Sequence, residues 1–185
     1  WSPVQVNTYL TSYYTGLISQ VGVEVYRLLY SVQNPPGTMQ AASALAVFPK
    51  GIDPANPPMV LSWNHGTTGG GDSCAPSAVG TAGAFYGIVF ASLGYAVVLP
   101  DYPGLGTPGP HPYMVRDVTG MSVVDGVRAL YALAETLGHP LSPDVGSLGH
   151  SQGGHATMSA HEYFDPPYGE GINYIGGGAY APGGG

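Results

Sequence analysis

The stretch Val145-Gly146-Ser147-Leu148-Gly149-His150-Ser151-Gln152-Gly153 decides how this chain is read. Residues 145–149 have β-strand character, residues 152–163 suit a helix, and a G-x-S-x-G pattern sits at the junction. A serine presented on a sharp strand-to-helix turn needs neighbours without a Cβ, so glycines two before and two after it let the backbone fold tightly. The spacing predicts a nucleophile elbow with Ser151 at its tip. Such a turn also aims the N–H groups of the first helical turn, which lack intrahelical partners, at a charge developing beside the serine. The alternative is a Gly-rich turn with an incidental serine, in a chain that contains 30 Gly and 18 Pro.

Upstream of this junction the pattern alternates. Residues 4–20 carry apolar positions at helical spacing (Val6, Leu10, Tyr13, Tyr14, Leu17, Ile18, Val21) and predict an amphipathic helix across the outside of a sheet. Residues 23–31 and 40–48 are rich in β-branched, aromatic and aliphatic residues and are separated by Gln33-Asn34-Pro35-Pro36-Gly37, the signal of an antiparallel hairpin. The apolar runs 59–63 and 95–100 read as central strands covered on both faces, with a helix over 80–93 between them. Residues 118–137 have helical spacing and a stop at Gly138; residues 172–180 form one more strand. A hairpin followed by alternating strand and helix predicts an α/β fold with a mostly parallel sheet, helices on both faces, and functional groups at the carboxyl ends of the strands. The whole of 1–185 is read as part of one domain.

Composition narrows the function. Charged residues are only 8% of the 185 residues, so the surface must be built from uncharged polar side chains and backbone, a balance more typical of secreted enzymes. A formal net charge of -7 repels phosphate backbones and anionic membranes, which argues against nucleic acid as a partner. No apolar run is long enough to span a membrane. The histidines are scattered without H-E-x-x-H or paired-cysteine spacing, and no phosphate-binding G-x-x-x-x-G-K-[ST] loop occurs, so neither a metal nor another cofactor is expected.

Residues 65–71, HGTTGGG, directly follow a predicted central strand. An oxyanion hole needs two N–H groups converging on one point; here they would come from Gln152, after the serine, and from Thr67 or Thr68 in this loop. The competing reading is a flexible glycine loop. Asp101, at the end of the strand over 95–100, precedes the serine and reads as a turn-stabilising carboxylate and not as a catalytic acid. His111-Pro112-Tyr113 is placed at the site entrance or as a packed loop. His150 is expected to support the elbow's surroundings. His155, one helical turn after Ser151, is the nearest in-chain base candidate, but the elbow turns Ser151 off that helix face. In this order of chemistry the acid and histidine follow the serine. With both His155 and His161 preceding Asp165 in the 34 residues after Ser151, both partners are expected beyond Gly185.

The runs HGTTGGGDSCAPS (65–77), GYAVVLPDYPGLG (94–106) with HPY at 111–113, and GHSQGG (149–154) resemble the secretory lipase family of α/β-hydrolases, covering about its N-terminal part through the elbow and one further strand. The resemblance implies carboxylic ester hydrolysis on a lipid or small-molecule ester, secretion, Ser151 as nucleophile, an oxyanion hole from the Thr67-Thr68 loop and Gln152, and a downstream disulfide partner for Cys74. The same scaffold also serves serine acyltransferases and peptidases, and a non-catalytic binding domain with a vestigial elbow is the alternative from a different class.

Overall fold

A computed structural model describes residues 1–12, 19, 21–35 and 37–184. Six strands form one sheet in the order β1-β2-β4-β3-β5-β6: β1 (Val23–Gln33), β2 (Met39–Pro49), β3 (Val60–Asn64), β4 (Ala96–Pro100), β5 (Asp144–His150) and β6 (Asn173–Tyr180). β1 pairs antiparallel with β2 and β2 antiparallel with β4; β4, β3, β5 and β6 run parallel. The expected hairpin and parallel sheet are both present.

Among the described residues, four α-helices pack on the sheet: α1 (Pro3–Thr11), α2 (Phe85–Ser92), α3 (Arg116–Leu137) and α4 (Gln152–Tyr163). The period of two along a strand sorts the core into two layers. Ala44, Ala46 and Phe48 of β2 and Ala96 and Val98 of β4 join Val123, Val127 and Leu130 of α3 and Ala156 and Ala160 of α4. Leu45, Val47, Val97 and Leu99 face the other way, onto Val6 and Leu10 of α1 and Ile88 and Ala91 of α2. α3 ends where Gly138 adopts φ 69 and its N–H reaches back to Glu135 O, the left-handed stop expected from its sequence.

Two helices are shorter than their periodicity predicts. α1 begins with Ser2 and Gln5 capping each other's backbone N–H groups and Pro3 at its first position, but it ends at Thr11. The Asn7 side chain donates to Ser19 O at 3.0 Å and accepts from Ser19 N–H at 2.5 Å. A straight helix would put twelve residues, about 18 Å, between the two. Ser19 and Val21 are not helical, and the remainder of that expectation, residues 13–18 and 20, lies outside the described residues. In the expected helix over 80–93, residues 80–82 form a 3₁₀ turn and α2 starts only after Ala84. The Pro76 carbonyl occupies the space a Cβ at Gly83 would need, so the chain is folded back on itself there.

The topology builds a crevice. From β3 the chain leaves through α2 toward β4 on one side; from β5 it leaves through α4 toward β6 on the other. β3 and β5 are parallel neighbours, with Asn64 beside Gly149, so their following loops part at a shared edge. Ligand sites in open α/β sheets form at such a switch point.

Candidate active site

Ser151 occupies φ 58, ψ -119, between the last residue of β5 and the first of α4. A side-chain-bearing residue at positive φ is uncommon and persists only where its surroundings over-determine it. Here they do. Ser151 N–H donates to Tyr180 O at 3.0 Å, and its carbonyl accepts from His155 N–H at 3.1 Å and Gly183 N–H at 2.9 Å. The flanking glycines are sterically required: a Cβ at Gly149 would strike the Gly153 carbonyl, and a Cβ at Gly153 would strike the carbonyl of Asn64. A Cβ at Gly154 would lie 2.9 Å from both Tyr180 O and Pro182 Cα. These three constraints explain why a glycine precedes the serine by two and a glycine pair begins two residues after it.

The loop after β3 comes to the same point. A Cβ on Gly66 would stand 3.2 Å from His150 O and 3.6 Å from Ser151 Cβ, so the loop backbone lies directly against the elbow. Thr67 and Thr68 continue outward and are exposed, with Thr67 Oγ1 2.8 Å from the Tyr113 hydroxyl. Gln152 is buried, and its side-chain amide lies 3.2 Å from His111 Nε2. His111 Nδ1 faces Pro103 O at 3.1 Å. A carbonyl can only accept, so Nδ1 carries the proton and Nε2 accepts from the Gln152 amide.

A buried polar cluster ties these parts together from below. Ser62 Oγ donates to Asn64 Oδ1, and Asn64 Nδ2 donates to Ser147 Oγ and to Thr157 Oγ1, each at 2.9 Å. The cluster joins β3, β5 and α4 under the serine. Sequence reasoning missed it, although Ser62 and Asn64, two apart in an apolar strand, carry the signal: both face one side, and buried polar groups need partners.

The histidines and acids fall into place around this frame. His65 is buried; its Nδ1 meets Gly66 O at 2.6 Å and its Nε2 meets Asp101 O at 3.3 Å, while Tyr102 OH donates to the His65 carbonyl at 3.0 Å. Burial pulls the His65 imidazole below its ordinary pKa, with its backbone contacts opposing. The Asp101 carboxylate accepts from Ser43 Oγ at 2.6 Å and Ser77 N–H at 2.9 Å, so it ties the end of β4 to β2 and to the 3₁₀ turn at 76–78 and not to its own turn. His150 stacks at a tilt on Tyr180, ring centres 5.5 Å apart. His155 has an Nδ1 buried without a hydrogen-bond partner, and burial lowers its pKa. Among the described residues, no histidine nitrogen is hydrogen-bonded to the Ser151 hydroxyl, and no group of three or more His, Cys, Asp or Glu side chains is placed to hold a metal.

The family model of secretory lipases matches residues 86–183, just over half of the chain. The chain belongs to the secretory lipase family. The matched span of this secretory lipase chain contains β4, α3, β5, the Ser151 turn, α4 and β6. Solved structures agree on the α/β-hydrolase fold. A Legionella pneumophila protein of inferred hydrolase class superposes with a TM-score of 0.84 at 27% identity, covering 100% of this chain and 50% of its own. The rice cell wall degrading esterase LipA of Xanthomonas oryzae gives 0.83 at 25% identity, covering 97% of this chain and 46% of that one. Candida antarctica lipase A in its closed state gives 0.67 at 24% identity, with 84% and 37% covered, a likeness of fold. The secretory lipase chain thus spans half or less of the length of these solved chains. A comparison with curated proteins finds no significant match.

A crevice of about 590 Å³ opens beside the loop after β3, lined by Trp63, His65, Gly66, Thr67, Tyr86 and His150 among others. Trp63 and Tyr86 stack there with ring centres 4.0 Å apart. The half-buried Cys74 borders it as a free thiol, its side chain filling the space a Cβ at Gly69 would need. No helix of the described residues is long and apolar enough to cross a membrane.

Proposed function

We propose that the intact protein is a carboxylic ester hydrolase that works through a serine acyl-enzyme, with Ser151 as the nucleophile. The observation that carries this reading is the Ser151 backbone at φ 58, ψ -119, held by close-packed glycines with Gly66 alongside. Backbone strain of this kind is kept where it presents a reacting group.

In this reading the Ser151 hydroxyl attacks the ester carbonyl carbon, its proton passes to a base, and the carbonyl oxygen becomes an oxyanion. The N–H of Gln152, at the first position of α4, stabilises that oxygen together with the N–H of Thr67 or Thr68. Collapse of the tetrahedral intermediate expels the alcohol, which takes a proton from the base. Water then hydrolyses the acyl-serine by the same steps. The base and its orienting acid come from residues outside 1–185 in this reading, which is supported by the absence, among the described residues, of a histidine nitrogen hydrogen-bonded to the Ser151 hydroxyl. The apolar crevice beside Gly66 receives one arm of a lipid or small-molecule ester. Family membership supports export from the cell, and Cys74 then pairs with a cysteine outside this stretch.

Turnover of p-nitrophenyl esters by the intact protein tests the reading. Ser151→Ala is expected to reduce kcat by about 10⁶-fold, as for the nucleophile of a serine protease triad. Ester hydrolysis that survives this substitution would contradict it, and an acyl-transfer or peptide substrate preferred over every ester would move the chemistry to another acceptor.

A further inference from the structure

Two residues of one short turn each grip a different side of the proposed oxyanion hole. His111 Nε2 accepts from the Gln152 side chain at 3.2 Å, and Tyr113 OH bonds Thr67 Oγ1 at 2.8 Å. The turn is itself braced: Tyr113 N–H donates to His111 O at 2.8 Å, Val115 N–H to Pro112 O at 3.1 Å, and His111 Nδ1–H to Pro103 O at 3.1 Å. Pro112 between the two side chains fixes one more backbone dihedral. Gly104 keeps the base of the loop tight, because a Cβ there would overlap the Pro110 carbonyl.

We propose that His111-Pro112-Tyr113 is a clamp that sets the separation of the two oxyanion arms, making His111 and Tyr113 positioning residues for ester hydrolysis. The proposal rests on the oxyanion reading given above. Its physical basis is that the two arms sit on different supports. Gln152 belongs to α4, whereas Thr67 lies in an exposed loop of small residues after β3, where its hydroxyl meets Tyr113 OH. Donors stabilise an oxyanion only if both are already about 3 Å from where it forms. A loop free to relax would lose that geometry without losing the fold. The Tyr113 hydroxyl holds the exposed arm, and the His111 ring registers the turn against the helical one.

The test uses the intact protein and single-atom changes. Tyr113→Phe removes only the hydroxyl of a side chain that is 52% exposed, so folding is not at risk. The expected result is a kcat about 10-fold lower with KM within about two-fold, since the lost interaction acts in the transition state. A trifluoromethyl ketone, which adds the serine and mimics the tetrahedral intermediate, should bind weaker by the same factor as kcat/KM falls. Thr67→Val should behave alike, Thr67→Ser should lose at least about five-fold less, and the Tyr113→Phe/Thr67→Val double variant should be no worse than the poorer single. An unchanged kcat in Tyr113→Phe, or fully additive losses, would overturn the clamp while Ser151→Ala still abolishes turnover. Turnover persisting in Ser151→Ala would instead remove the reading beneath it, and the clamp with it.

Discussion

The backbone of Gly153 lies flat against the carbonyl group of Asn64, leaving no room for a Cβ between the first turn of α4 and the end of β3. This contact sets how near the serine turn can come to the loop that begins at His65. Gly153→Ala must therefore push a helix off a strand, since a backbone carbonyl cannot rotate aside. The expected cost is about 1–3 kcal/mol or more, as for other overpacked sites. Gly70, with open space around its Cβ position, is the control: Gly70→Ala should stay within about 0.5 kcal/mol. Urea denaturation of both variants measures the difference.

Asn64 itself is the hub of four buried side chains. Asn64→Ala strands the hydroxyls of Ser147 and Thr157 without the donor they share, each left with a desolvation cost of about 1–3 kcal/mol. Thr157→Val, which removes one acceptor and keeps the shape, should cost less than Asn64→Ala. Equal stability losses in denaturant would show that the cluster does not act through Asn64.

Stability should also fall on mild acidification. Above the ordinary histidine value of 6.5, His65 is neutral in both folded and unfolded chains; below it the unfolded chain binds a proton that the buried ring resists. The folded state therefore loses stability as pH drops from 6.5 toward the lowered value, by at most about 1.4 kcal/mol per pH unit for one group. His155, lowered for the same reason, adds to the trend. Denaturation midpoints at about pH 7.5 and about pH 5 should differ less in His65→Gln than in the parent. An identical difference would mean that His65 is not the group responsible.

His155 is one helical turn from Ser151 in sequence, which makes it the in-chain competitor for the role of base. Its Nδ1 is buried without a partner, and no bond links it to the serine hydroxyl. His155→Gln is expected to leave ester turnover by the intact protein within about three-fold, whereas loss of a true general base costs about 10²- to 10⁴-fold. Steady-state kinetics separates the two.

Some of this architecture was legible from residues alone. Turn chemistry at 33–37, the αL stop at Gly138 and the glycines around Ser151 are local signals, so the hairpin, the end of α3 and the elbow followed from sequence. The family resemblance rested on local runs as well, at 65–77, 94–106, 111–113 and 149–154. What was not legible depends on contacts between distant positions. The insertion of β4 between β2 and β3, the meeting of Asn7 with Ser19, and the meeting of His111 with Gln152 join residues far apart in the chain. Periodicity reports which face of an element is apolar, not which neighbour covers it. Only the Asn64 cluster left a trace that could have been followed, two polar residues on one face of a buried strand.

The central claim, that Ser151 is an activated nucleophile, is tested most directly by treating the intact protein with a fluorophosphonate and locating the adduct by mass spectrometry. Covalent phosphonylation of Ser151, absent after heat denaturation, is the predicted result. A folded protein that remains unlabelled, or one labelled at a different serine, would contradict it.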